Sequence, residues 1–321
     1  MQKLIILLTT ILFFSCQDKP KKAAVNTPAP PKTEAKTPTP TDGQLRPING
    51  TQLYVKTIGQ GEPILIIHGG PGLDHTYFFP QMEGLAKDHT LIFYDQRASG
   101  KSAANLDSTQ ISIDIFVDDI EAIREGFQLE QINILGHSFG GILAMKYAMK
   151  YPEKMDKLIL SNSSGASAEF MRKEATRLQE RITEKDRFEQ ELIFKSQNFQ
   201  AGKASAFEDL FRIFFRKEFF NKELADSLTL TFPENFAQNS RLLGFLNKDM
   251  GANYDFSADM KKITAPTLVV YGDYEILAES AGKQIADLIP NAEFVLLKDC
   301  GHFPFIEQPK TYFGTINEFL K

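Results

Sequence analysis

The sequence contains no tryptophan, although it carries 27 phenylalanines, and only two of its 321 residues are cysteines. Cys16 and Cys300 lie far apart in very different surroundings, so a disulfide framework is not implied. Excess positive charge is missing too. With 36 basic and 41 acidic residues the formal charge is -5 and the pI about 5.7, which disfavours nucleic acid as a partner. No strand-linked dinucleotide fingerprint is present, and Gly100-Lys101-Ser102 lacks the first glycine of a phosphate-binding loop, because Asp95 occupies that place. The N-terminal apolar run, 4–14, is shorter than the ~20 residues needed to span a bilayer. It follows Lys3 and is closed by Ser15, and a charged start, an apolar region and a small residue together read as an export signal.

The segment Phe13-Phe14-Ser15-Cys16 resembles a bacterial lipoprotein signal, with phenylalanines where leucine and a small residue are usual. The resemblance implies cleavage before Cys16 and lipid modification of that cysteine. The protein would then be exported and membrane-tethered on the periplasmic or cell-surface side, with the lipid its only membrane contact. From 17 to 43 the composition turns to Pro, Thr, Lys and Ala, with almost nothing apolar to offset the entropy of ordering. That predicts a flexible tether, stiffened by stretches such as Pro28-Ala29-Pro30-Pro31.

Beyond the tether, short apolar runs rich in β-branched residues alternate with segments of helical period, the pattern of a mostly parallel sheet flanked by helices. Strands are expected at 52–58, 64–68, 90–94, 131–136, 157–161, 267–271 and 293–298. After Ser112 the residues Ile113, Phe116, Val117, Ile120, Ile123 and Phe127 recur at helical spacing, with Asp114, Asp118, Glu121 and Arg124 on the other face. Between Ser161 and Ala265 the strand pattern stops and a Glu/Lys/Arg/Phe-rich stretch of helical period takes over. An insertion of that length cannot be a simple loop, since structureless loops beyond ~15 residues are uncommon. The expected organisation is a core from 44–165 and 263–321, and a helical cap at 166–262 that forms a lid over the carboxyl edge of the sheet.

Gly136-His137-Ser138-Phe139-Gly140-Gly141 lies between an expected strand and an expected helix, the context of a nucleophile elbow, and makes Ser138 the candidate nucleophile. His68-Gly69-Gly70-Pro71-Gly72 follows another buried strand and leads to the same sheet edge. The amides of Gly70 and Phe139 are the expected donors to an oxyanion, and Pro71 cannot donate. His302, in the loop after the last strand, is the candidate general base, since an imidazole of ordinary pKa ~6.5 can take and return a proton near neutrality. An acid is expected after the strand at 267–271, where Gly272-Asp273-Tyr274-Glu275 offers two carboxylates. Cys300 reads as a small buried thiol rather than a second nucleophile.

Taken together, the segments at His68, Asp95-Gln96-Arg97, Ser138, Glu275 and His302 resemble the proline iminopeptidase family of α/β-hydrolases, over roughly 50–321. The resemblance implies the α/β-hydrolase fold with an inserted lid. It also implies a serine hydrolase that removes N-terminal residues from short peptides, needing no metal or organic cofactor. Relatives place the acid three residues after the glycine, which favours Glu275 and leaves Asp273 as the alternative acid. In the family, lid carboxylates neutralise the substrate's amino terminus; Glu189, Glu191, Glu208 and Glu218 are candidates, although carboxylates on amphipathic helices usually face water and none of the four is singled out by the sequence. The chain departs from the family at Ala98, His137, Phe139 and Glu275, where glycine, glycine, tryptophan and aspartate are usual, and this leaves a preference for proline open. An esterase or carbon-carbon bond hydrolase acting on a small acyl substrate is the alternative reading. A non-catalytic ligand-binding protein is a remote one. Dehalogenases and epoxide hydrolases are disfavoured because they attack with aspartate, and here that position is Ser138.

Overall fold

Each of the seven expected strands forms, and an eighth precedes them. The structure, a computed structural model, describes residues 38–102, 106–275 and 278–321. The strands are β1 (Thr41–Ile48), β2 (Thr51–Gly59), β3 (Glu62–Ile67), β4 (His89–Tyr94), β5 (Ile132–His137), β6 (Met155–Ser161), β7 (Thr267–Gly272) and β8 (Ala292–Leu297). They build one sheet in the order β1-β2-β4-β3-β5-β6-β7-β8. β1 and β2 run antiparallel to their neighbours, whereas every pairing from β4 to β8 is parallel.

The apolar runs are continuous because both faces of the sheet are covered. Leu65, Ile67, Ile92, Ile134, Leu158, Leu160 and Val269 point into one core cluster, packed against helices α1 (Ile113–Gly126) and α2 (Phe139–Lys150). Their neighbours Ile64, Ile66, Leu91, Phe93, Leu135, Ile159, Leu268 and Val270 enter a second cluster on the opposite face. The side-chain period of two divides each strand between the two cores.

Ser112 caps α1, its hydroxyl accepting from the Ile115 N–H at 3.3 Å. The apolar stripe of α1 is buried as expected, but Arg124 and Asp119 are buried with it. Asp119 receives Arg97 through two bonds of 2.7 Å, and this ion pair fastens the Asp95-Gln96-Arg97 loop to the helix.

β1 corrects the expected extent of the tether, 17–43, because the strand begins at Thr41. Thr41–Ile48 is polar and largely exposed, so no apolar alternation marks it. The signal that could have found it is Asn49-Gly50, both at positive φ (44° and 73°), a two-residue hairpin turn that joins β1 to β2 with Ile48 opposite Thr51.

Between β6 and β7 run five helices: α3 (Ala168–Glu180), α4 (Glu184–Lys195), α5 (Gln197–Gln200), α6 (Ala204–Arg216) and α7 (Phe236–Met250). Phe207, Phe211 and Phe215 stand on one side of α6, and Phe211 meets Phe232 and Phe236 at ring separations of 5.0 and 5.9 Å. Phe215 reaches the sheet end of the molecule, 5.2 Å from the Phe303 ring. The chain closes with α8 (Lys283–Leu288), α9 (Pro304–Glu307) and α10 (Pro309–Leu320). Among the described residues no helix is long and apolar enough to cross a membrane. Cys16 and the expected signal and tether up to residue 37 lie outside the described residues.

Candidate active site

β5 ends at His137 and α2 starts at Phe139, so Ser138 must turn the chain within one residue, with φ 56° and ψ −124°. The turn is held by backbone bonds from Ser138 N–H to Ser161 O (3.1 Å) and from the Gly141 and Ser164 N–H groups to Ser138 O (2.9 and 3.0 Å). A Cβ on Gly140 would lie 2.3 Å from the Ile67 carbonyl, so only glycine lets α2 start this close to β3. Ser138 opens into a cavity of about 270 Å³ whose walls include Gly70, Leu73, His302 and Phe303 from the sheet edge. The lid adds Met171, Phe211, Phe214, Phe215 and Glu218.

The imidazole Nδ1 of His302 lies 2.6 Å from Glu275 Oε2. Of the two candidate acids, Glu275 is therefore the one joined to the histidine. Asp273 is exposed; its carboxylate accepts from Cys300 N–H at 3.3 Å and faces Lys298 at 3.5 Å. Gly70 lines the cavity, and Phe139, as the first residue of α2, has an N–H with no carbonyl available within its own helix. Ser138, His302, Glu275, Gly70 and the Phe139 backbone thus gather at one end of the sheet. Cys300 is buried, and burial pushes its thiol well above the usual range, as expected of an inert sulfur.

The lid candidates separate by environment. Glu189 pairs with Arg216 (2.7 Å), Glu191 with Lys195, and Glu208 accepts from the Phe232 N–H (3.1 Å). Glu218 alone of the four is buried and lines the cavity, with a carboxylate oxygen within 4.8 Å of ligand atoms on Glu275 and His302.

Three residues at the site have no motif to announce them. Asn162, at the end of β6 with φ 41°, donates from Nδ2 to Glu275 Oε2 (3.0 Å) and to Gly301 O (2.7 Å), while its Oδ1 accepts from Gly272 N–H (3.1 Å). Glu307 accepts from Gly301 N–H (2.8 Å) and from Phe220 N–H (3.1 Å), so one carboxylate joins the histidine loop to the lid. Burial raises its carboxyl to about 7, against the lowering effect of these N–H bonds. Tyr77 stands behind the glycine loop, its hydroxyl bonded to Gly69 N–H at 2.7 Å. Burial likewise pushes His68 down to about 4, so this histidine is neutral and serves as a structural acceptor for the Gln96 N–H at 2.9 Å.

A second group of possible metal ligands, Asp74, His75 and Asp95, is already internally satisfied. Asp95 Oδ1 accepts His75 Nδ1 (2.6 Å) and N–H (3.0 Å), its Oδ2 accepts Lys101 N–H (2.8 Å), and Asp74 caps the Thr76 N–H (2.8 Å).

A family model described as alpha/beta hydrolase fold matches residues 62–309. A proline iminopeptidase from Heyndrickxia coagulans is 30% identical over 285 residues, spanning 82% of this chain and 91% of the other. Among solved structures, a proline iminopeptidase from Mycobacterium smegmatis superposes with a TM-score of 0.63 at 20% identity, covering 87% of this chain and 97% of that one. A meta-cleavage product hydrolase from Pseudomonas fluorescens gives a TM-score of 0.61 at 21% identity, with the same two coverages of 87% and 97%.

Proposed function

Because this chain belongs to the proline iminopeptidase family of α/β-hydrolases, we propose that it is a serine aminopeptidase that releases N-terminal residues from short peptides. The observation that carries the peptidase reading is Glu218, a buried lid carboxylate in the cavity that holds Ser138 and His302. It stands with Glu275 beside His302, the three offering polar atoms within 4.8 Å of one another. A carboxylate in this wall is of the right chemistry to accept from a substrate ammonium in partly dry surroundings, whereas a neutral ester brings no ammonium donor.

In this reading Ser138 Oγ attacks the scissile carbonyl carbon while His302 takes the hydroxyl proton, and the carbonyl π electrons move onto oxygen. The Gly70 and Phe139 amides stabilise that oxyanion, and Glu275 holds the imidazole tautomer and the imidazolium. Collapse expels the amine, which receives the proton from His302 and leaves an acyl-Ser138 ester. Water, deprotonated by His302, then attacks the ester and frees the N-terminal residue. The apolar walls contributed by Leu73, Phe211, Phe214 and Phe215 suit a compact apolar side chain at the N-terminus.

Release of alanine or proline from their naphthylamides tests the reading. Wild type should cleave them, Ser138→Ala should not, and Glu218→Gln should raise KM at least about tenfold for the free amine while sparing p-nitrophenyl acetate. Turnover of p-nitrophenyl esters with no release from any aminoacyl naphthylamide would favour the esterase or carbon-carbon bond hydrolase reading. We propose in addition that the protein is exported and lipid-tethered through Cys16, on the strength of the N-terminal pattern alone. Labelled palmitate should enter wild type and not Cys16→Ala; no incorporation into wild type would refute it.

A further inference from the structure

Three hydrogen bonds run in series behind the nucleophile. Gly69 N–H donates to the Tyr77 hydroxyl (2.7 Å), Tyr77 lies 2.8 Å from His137 Nδ1, and His137 Nε2 lies 2.8 Å from the carbonyl oxygen of His302. We propose that Tyr77 and His137 form a positioning strut that holds the glycine loop and the backbone of His302 at a set separation across Ser138. The proposal rests on the serine-hydrolase reading of this site.

The direction of every bond follows from one atom. A carbonyl oxygen can only accept, so His137 Nε2 carries the proton. In a neutral ring Nδ1 is then an acceptor, the Tyr77 hydroxyl donates to it, and the tyrosine oxygen is left to accept from Gly69. Protonating His137 would make Nδ1 a donor, so the tyrosine oxygen would have to accept from both Nδ1–H and Gly69 N–H and its own proton would lose its acceptor. Burial, and the neighbouring His302, keep its pKa far below the ordinary value, so the ring stays neutral and does not compete with His302 for the serine proton.

The ring has little room to shift. His137 is buried, with Tyr77, Phe78 and Phe305 at centroid separations of 5.6, 5.9 and 5.4 Å and His302 at 4.9 Å. Both ends of the series bear on reacting groups. A Cβ on Gly69 would lie 3.4 Å from Ser138 Oγ, so its peptide borders the nucleophile, and the next residue, Gly70, carries a proposed oxyanion donor. At the other end the bonded carbonyl belongs to the residue whose imidazole moves the proton. Misplacing reacting groups by ~1 Å can cost about a hundredfold in rate, so a strut of this kind acts on kcat more than on substrate affinity.

Hydrolysis of p-nitrophenyl acetate by the full chain tests the strut without requiring a peptide substrate. Tyr77→Phe and His137→Leu should each lower kcat about tenfold to a hundredfold while KM moves less than about threefold. His137→Gln, whose amide offers both a donor and an acceptor, should recover part of the loss. The double variant Tyr77→Phe/His137→Leu should be no slower than His137→Leu alone, because a series broken once is already broken. Wild-type kcat in Tyr77→Phe, or a double effect equal to the product of the two single ones, would overturn the strut. If His137→Leu fails to fold, Tyr77→Phe, which removes a single oxygen, decides with His137→Gln. Should Ser138→Ala hydrolyse the ester like wild type, the serine-hydrolase reading itself falls and the strut with it, whatever the other variants do.

Discussion

Replacing Ser138 by glycine should make the protein more stable while abolishing its activity. At φ 56° and ψ −124°, Ser138 occupies backbone space that suits glycine and strains a residue with a Cβ, at a cost of about 1–3 kcal/mol. Glycine removes that strain but adds about 0.4–1 kcal/mol of unfolded-chain entropy, leaving a net gain of about 1–2 kcal/mol. The turn's own bonds, to Ser161 O and from Gly141 and Ser164, are backbone bonds and survive the substitution. For a domain of this size each kcal/mol moves Tm by about 2–4 °C, so a rise of roughly 2–8 °C is expected. Ser138→Ala is the control, since it loses the same hydroxyl and keeps the Cβ. Paired scanning calorimetry of the two inactive variants isolates the backbone contribution. A Ser138→Gly protein that melts at or below Ser138→Ala would show that the elbow stores no strain and that the reasoning is wrong.

Other perturbations follow from the same contacts. Asp119→Ala leaves the Arg97 guanidinium buried without its carboxylate and should cost about 3–5 kcal/mol in urea unfolding. Glu275→Gln should lower kcat by about a hundredfold or more, with Asp273→Asn within about twofold of wild type, in steady-state assays of either substrate class. Asn162→Asp sets a second carboxylate where an amide now stands 3.0 Å from Glu275 Oε2. Repulsion between the two should raise the acid limb of the pH-rate profile and lower activity near neutrality. Glu307 is raised from 4.5 to about 7 in the fold, so between those values the folded state binds more protons than the unfolded one. Its contribution is therefore fully present below pH 4.5 and is lost as pH rises through 7. The Tm of wild type relative to Glu307→Gln should fall across that window, and a difference independent of pH would refute the assignment.

The parts of the site carried by short contiguous motifs were legible from residues alone. Ser138 announces itself through glycines on both sides of a strand-to-helix turn, and His302 through its loop after the last apolar strand. Glu275 needed the resemblance to relatives to be preferred over Asp273, because nothing local distinguishes two carboxylates two residues apart; the structure separates them by orientation. β1 carries no such mark, because an edge strand that covers little core needs no apolar alternation, and Asn49-Gly50 is its one local sign. Glu218 could be named only as one of four lid carboxylates, since a helical pattern does not say which acid turns toward a distant sheet.

By itself the sequence determined what depends on neighbours along the chain: the alternation of strands and helices, the glycine-flanked serine, and the order nucleophile, acid, histidine. Tertiary structure alone decided which polar groups meet across the fold. Asn162 bonded to Glu275, Glu307 to Phe220 of the lid, and Tyr77 to His137 each join residues tens of positions apart. Such pairings leave no periodic trace, because a hydrogen bond requires a distance and a direction in space, and spacing along the chain sets neither.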